Sequence, residues 1–241
     1  MPRYKIADVV FDAEFMFGYT AKLCQNYLYS GKEAPEFSIV TVQPDIDKEK
    51  ALCITEKFPD YYLESLSVFR KLCDYILACR QGIVFHSSAV AVDGKAYLFT
   101  APSGTGKSTH ARLWREMLKD KVVMINDDKP IVRLIDGEFY VYGTPWNGKH
   151  RLDTNCRAKI AAICEIRQGT VNEIKEVSPA EMLLVVLNQT IRPEDLRLMD
   201  NLLGILDKLL KEVRLYRLTC DVSEEASRIS FEKMVLNAPK G

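Results

Sequence analysis

The sequence predicts a mixed α/β fold, and three observations carry that reading. Apolar runs of strand length recur through the first two thirds of the chain, and longer runs with helical spacing lie near residue 70 and beyond residue 178. A third stretch, "LFTAPSGTGKSTHARLW" (98–114), passes from a strand through glycines into a helix. At 241 residues and 47% hydrophobic content the chain is long enough to bury a sizeable core. No internal repeat or low-complexity linker divides it, so it reads as a single domain in three parts: an extension (1–80), a core (81–168) and a mainly helical end (169–241).

The first part holds the β-like runs "YKIADVVF", "FSIVTV" and "ALCITE", then the helix "YYLESLSVFRKLCDYILACR". In that helix Leu63, Leu66, Phe69, Leu72, Ile76 and Leu77 form a core-facing stripe. The core is strand-rich: "IVFHSSAVAV", "KAYLFTA", "VVMIN", "PIVRLI", "EFYVYG" and "IAAICEI". The pairs Asp93-Gly94 and Asp136-Gly137 separate strand-like runs and mark tight hairpins. In the last part Ser178, Pro179 and Glu181 read as a capping box with proline at the first helical position. The helix "RLMDNLLGILDKLLKEV", the strand "RLYRLTC" and a final helix from Ser223 follow.

Charge and cysteine usage narrow the class. The 33 basic residues balance the 33 acidic ones, so neither a nucleic acid backbone nor an anionic membrane is predicted as the main partner. The seven cysteines are odd in number, form no C-x-x-C pair and lie partly in apolar runs, which predicts reduced thiols in a cytoplasmic protein. The start "MPRYKIADVVFD" mixes charges into its apolar residues and reads as neither signal peptide nor anchor.

The chemistry begins at "APSGTGKST". Small residues let successive backbone N–H groups converge on phosphate oxygens, and a helix N-terminus adds a favourable dipole. On this reading Ser103, Gly104, Thr105, Gly106, Lys107, Ser108 and Thr109 form a phosphate-binding loop. Lys107 neutralises the β and γ phosphates, and the Ser108 hydroxyl joins a magnesium shell. The pattern departs at residue 101, where alanine stands in place of the usual glycine. About twenty residues on, the strand "VVMIN" delivers Asp127 and Asp128. Adjacent residues at a strand end point in different directions, so one carboxylate can reach a metal and the other an attacking hydroxyl. His86 lies on a strand predicted to pair through Asp93-Gly94 with the strand feeding the loop, which brings it near the phosphates. His110 falls on the following helix as a surface or packing residue.

These residues resemble a known family. "HSSAVAVDGKAYLFTAPSGTGKST" followed by "NDD" is similar to the core of the HPr kinase/phosphorylase and phosphoenolpyruvate carboxykinase superfamily, in particular to HPr-kinase-like proteins of uncharacterised substrate. The resemblance runs from about residue 84 to 133 and extends to about 155. It implies a mixed-sheet core with a phosphate-binding loop, of the HPr kinase C-terminal domain or carboxykinase type. That core would carry a β-rich extension before it and helices after it. It also implies ATP with magnesium, or manganese in its place, and an oligomeric state. By the family's order Asp127 is the general base, Asp128 and Ser108 are metal ligands, and His86 supports the transferred group or a second metal. The chain leaves little room for the extra carboxykinase domain, and the signature region of HPr kinase finds no match. Carboxykinase activity and phosphorolysis are therefore not carried over.

In place of that signature stands "YGTPWNGKHRLDTN" (142–155), a loop in which Trp146 offers a stacking face and Lys149, His150 and Arg151 offer cations for the nucleotide, the transferred phosphate or the acceptor. Lys129 is a weaker candidate for the same charge-neutralising role. The reading that results is an ATP-dependent kinase acting on a hydroxyl, most simply a serine of a peptide or protein. Its rivals are a small-molecule kinase for an amino acid or sugar, and a non-catalytic nucleotide-binding accessory protein in peptide modification.

Overall fold

Ala7 and Asp8 both take positive φ, at 52° and 57°, and turn "YKIADVVF" into a hairpin. In the computed structural model, which describes residues 1–53 and 56–237, β1 (Arg3–Ile6) pairs antiparallel with β2 (Val9–Glu14). After α1 (Gly18–Leu23), β3 (Phe37–Val40) joins β2 in parallel. Helices α2 (Gln43–Leu52) and α3 (Asp60–Cys79) complete a first compact unit, Met1–Arg80. The strand expected at "ALCITE" is not formed in its first part: Ala51 and Leu52 end α2, while Ile54 and Thr55 lie outside the described residues. Helix α2 escapes an apolar-stripe reading because Glu49 occupies part of its inner face. That carboxylate is 2% exposed and is held bidentately by Arg70 of α3 at 2.7 and 3.0 Å.

The second unit, Gln81–Gly241, takes in both the strand-rich middle and the helical end of the sequence. Its strands are β4 (Gly82–Val84), β5 (Ser88–Val92), β6 (Lys95–Thr100), β7 (Val122–Asn126), β8 (Ile131–Ile135), β9 (Glu138–Tyr142), β10 (Arg157–Gln168), β11 (Glu173–Glu176) and β12 (Arg214–Cys220). Its helices are α4 (Lys107–Leu118), α5 (Pro179–Asn188), α6 (Met199–Glu212) and α7 (Glu224–Phe231). The sheet runs β4-β8-β9-β10-β6-β5-β7, with β12 beside β10 and β11 beside β12. Strands β6, β10 and β12 are parallel neighbours, and the other pairs are antiparallel. Both Asp-Gly pairs turn hairpins with positive φ at each residue, as two-residue loops between right-twisted strands require.

One sheet face packs on α4 and α7 through Tyr97, Phe99, Cys164, Ile166, Leu218, Trp114 and Ala226. Trp114 is fully buried, edge-on to Phe99 and Phe231, at ring distances of 5.1 and 5.4 Å. Helix α6 packs against β4 and β12 with Leu202, Leu206 and Leu209 buried. The capping box at Ser178 opens α5, and Ser223 caps α7.

The expected single strand "IVFHSSAVAV" is two strands, and the reason is topological. Strands β4 and β5 stand five places apart in the sheet, a separation of roughly 24 Å if it were flat. Only Phe85, His86 and Ser87 join them, and four Cα steps reach at most about 14 Å. The same mismatch holds for β7 and β8, joined by residues 127–130. The sheet therefore curls until its ends meet, and β7 approaches β9. The two short connectors run side by side across the seam: Phe85 N–H donates to Pro130 O and Ser87 N–H to Asp128 O, both at 3.2 Å.

Candidate phosphate and acid-pair site

Strand β6 ends at Thr100 and the chain enters the glycine loop. Gly104 and Gly106 take φ of +79° and +116°, conformations that side chains rarely adopt, and Gly106 immediately precedes α4. Ala101 needs no such freedom, because its φ is not positive and its methyl is packed in the core beside Phe99. The alanine is thus a core residue, and the loop turns after it. Lys107, at the first position of α4, is 6% exposed, and its Nζ donates to Ala101 O at 2.8 Å and Pro102 O at 3.3 Å. Burial pushes its ammonium down from the usual value, while Asp128 and Asp127 oppose that shift. Ser103 is exposed at the loop's tip, and Ser108 and Thr109 are half-buried on the first turn of α4.

The acid pair hangs on Asn126, the last residue of β7. Its side-chain oxygen accepts from the backbone N–H groups of Asp128 and Lys129 at 2.8 and 2.7 Å, while its amide donates to Thr144 O at 2.9 Å. Asp127 is 7% exposed and accepts from Ser88 Oγ at 2.6 Å. Burial raises its carboxyl, and hydrogen bonds from Ser88 and Ser108 pull the other way. Asp128 faces the seam, with His86 Nε2 at 3.0 Å and the Lys129 ammonium on its second oxygen. Burial works to raise Asp128, yet His86 and Lys129 hold it at about 2. Sequence reasoning grouped Ser108 with Asp128 as metal ligands; in the structure Ser108 lies close enough to act on the charge of Asp127, and Asp128 is paired with His86. His86 is not on a strand, as expected, but in the connector, where its N–H donates to Gln189 O at 2.7 Å and its carbonyl accepts from Thr100 Oγ1 at 3.2 Å.

The loop after β9 folds back along β7. Asp127 N–H donates to Leu152 O and Thr154 N–H to Ile125 O, both at 3.1 Å. Gly148, at φ +72°, lies so close that a Cβ there would sit 3.0 Å from Asp128 Cβ. Trp146 is 6% exposed, so the stacking face expected of it is not available: the ring packs in the interior. Lys149, His150 and Arg151 are exposed. His150 is close enough to act on the charge of Asp127.

Ser88 and Asn126 were not singled out from sequence, and Gly148 was read only as a loop residue. The signal for Ser88 was present in "HSSA", where it is the first residue of β5 and so sits at the mouth of the curl. His110 is 3% exposed and a packing residue, with burial pushing its imidazole down to about 4. A cavity of about 130 Å³ adjoins the loop, lined by Gly104, Thr105, Gly106, Ile166, Gln168 and Val222. A larger one, about 480 Å³, lies between α4 and α7 against Leu113, Met117 and Glu224 and contains none of the site residues.

No family model matches the chain, and no curated protein does. Among solved structures, it is similar to the Hpr(Ser) kinase/phosphatase from Coxiella burnetii at 8% identity, over 64% of this chain and 88% of that one, with a TM-score of 0.38. The observed architecture is by itself a mixed α/β fold. Among the described residues no helix is long and apolar enough to cross a membrane. All seven cysteines are free thiols.

Proposed function

We propose that the chain transfers the γ-phosphoryl group of a nucleoside triphosphate, ATP in the simplest case, to a hydroxyl of a peptide or protein. The observation that carries the reading is the convergence of two acids with different partners on one glycine loop. Asp127 lies beside Ser108 and Lys107, close enough for each to act on its charge or be acted on, and Asp128 is paired with His86 across the seam. The donor set fits a hard divalent cation, because Ser108 and Asp127 offer oxygens. Among the described residues no group of three or more His, Cys, Asp or Glu side chains could hold a metal by itself. A magnesium–nucleotide, when bound, supplies the transferable phosphoryl group and neutralises its charge.

The chain's own residues divide the remaining work. Lys107 exchanges its two carbonyl partners for phosphate oxygens. Ser108 and Asp127 hold the metal side, and Ser88 keeps the Asp127 carboxylate turned toward Ser108. Asp128 orients the acceptor hydroxyl and receives its proton, with His86 fixing the carboxylate. This ordering reverses the base and metal roles that the family resemblance implies, and it follows from Asp127, not Asp128, lying within reach of Ser108. The cavity of about 130 Å³ beside Gly104 is suited to the nucleoside end.

The test is label transfer from γ-labelled ATP with magnesium into size-separated lysate of the source cells, with wild type beside Lys107→Ala. A Lys107-dependent polypeptide band is the expected result. Label entering only small molecules would replace the acceptor class, and nucleotide binding without any transfer would leave a binding protein.

A further inference from the structure

Lys149 and Arg151, expected from sequence to face the nucleotide, its phosphate or the acceptor, are two cations that the proposed division of work leaves without a role. They flank His150 on a tight turn in which Arg151, at φ 51°, donates its N–H to Gly148 O at 3.4 Å. Both side chains are exposed, and neither has an ion-pair partner among the described residues. Lys129, by contrast, is paired with Asp128, and Arg112 and Lys159 have glutamate partners.

The turn is also held in place. On one side Gly148, at φ +72°, rests so close to Asp128 that a Cβ would sit 3.0 Å from its Cβ. On the other, residues 152–154 hydrogen-bond along β7, and Asn147 donates to the Asp153 carboxylate across the base of the turn. The turn thereby sets Lys149 one residue and Arg151 three residues beyond a glycine packed close to Asp128. Residues 148–151 are all exposed, so the charge forms an open rim and not the wall of an enclosed pocket. An open rim suits an extended chain better than a small metabolite, and fixed cations discriminate partners by charge.

We infer that the Lys149–Arg151 turn selects an acidic segment of polypeptide as the phosphoryl acceptor, holding carboxylates that flank the hydroxyl delivered to Asp128. The inference rests on the phosphotransferase reading for its acceptor, but its binding step can be measured without turnover.

The experiment uses the full chain with magnesium and a non-hydrolysable ATP analogue. Binding of three fluorescent serine peptides of equal length is followed, with the serine flanked by glutamate, alanine or lysine; transfer from γ-labelled ATP is measured in parallel. The acidic peptide is expected to bind at least tenfold more tightly than the neutral one, and the preference should vanish or reverse in a Lys149→Glu, Arg151→Glu double variant. Nucleotide affinity should stay within twofold. A Lys149→Ala, Arg151→Ala variant gives the same direction if charge reversal disturbs folding. Equal binding of the three peptides, no binding of any, or a parallel loss of nucleotide affinity overturns the inference; the last would assign the cations to the donor phosphates. Charge-selective binding without transfer would remove the phosphotransferase reading and leave the anion site, and transfer without charge preference would do the reverse.

Discussion

Glu64 in the first unit and Asp127 in the second are both buried carboxylates, and their partners differ in kind. Glu64 is 0% exposed and accepts from the backbone N–H of Met16 and Phe17 and from the hydroxyls of Thr20 and Thr41. The two amides lie just before α1, where Phe17 at the cap offers no side-chain acceptor, and Glu64 supplies one. Every one of these partners belongs to the fold. Asp127 accepts from Ser88, and its surroundings include Ser108, Lys107's charge, Asp128 and His150. A buried acid ringed by fixed donors is a tie; one with a single hydroxyl donor, beside a loop that carries a buried ammonium, retains bonds to give.

Four experiments break or sharpen that contrast. Asp127→Asn should lower phosphoryl transfer by about 10³-fold, near 4 kcal/mol, because the metal-side charge is lost. Its thermal midpoint should hold or rise, since burial already disfavours the charged form. A variant that unfolds would make Asp127 a second Glu64. Glu64→Ala should strand the Phe17 N–H and the Thr20 hydroxyl, leave Met16 N–H on Thr41 Oγ1 and Thr41 Oγ1 on Glu14 O, and destabilise the first unit by about 3 kcal/mol. Trp114 and Trp146 both lie in the second unit, so denaturation followed by circular dichroism should shift, while tryptophan emission keeps a transition near the wild-type one.

A third buried group refines the rule. Ser230 Oγ donates to Ser227 O and therefore accepts from both Trp114 Nε1 and His110 Nε2, each contact at 2.9 Å, which places the His110 proton on Nε2. His110 is held neutral, down from 6.5 to about 4. The unfolded chain therefore takes up that proton first, and the stability is complete above pH 6.5 and lost as pH falls toward 4. The loss is roughly 3 kcal/mol by linkage, and His110→Gln, which keeps a donor without titrating, should flatten that limb in acid denaturation series. The smallest effect belongs to Ser88→Ala. Removing one bond to Asp127 should slow turnover by about tenfold and move the acid limb of the rate profile to higher pH, because that bond holds the carboxyl down. An unmoved limb would mean that Ser88 only fills space.

Local signals were legible where the local chain decides the outcome. Asp93-Gly94, Asp136-Gly137, the Ser178 box and the apolar stripe of α3 each fold as read, since turn and helix preferences act over a few residues. The glycine loop and the acid pair were legible as motifs. Their connections were not, because the pairing of Ser108 with Asp127 depends on how β5, β6 and β7 align, a register that no residue type encodes. The break at His86 was hidden by apolar residues on both sides, 83–85 and 89–92, and is imposed by curl. Trp146 was misread because a loop rich in Gly and Pro suggests exposure, while its backbone oxygen is drawn inward by Asn126.

The seam gives two connectors an unusual constraint. Insertions usually accumulate in loops, since a longer link costs little entropy. Residues 85–87 and 127–130, however, work as rulers, because their shortness forces the sheet to close and sets His86 against Asp128. One added residue in either would leave every strand pairing possible and still let the curl relax, so the fold would survive while the acid and its histidine drifted apart. Among proteins descended from this one, conserved length at these two links would mark those that keep the chemistry, and a lengthened link would mark those that keep only the scaffold.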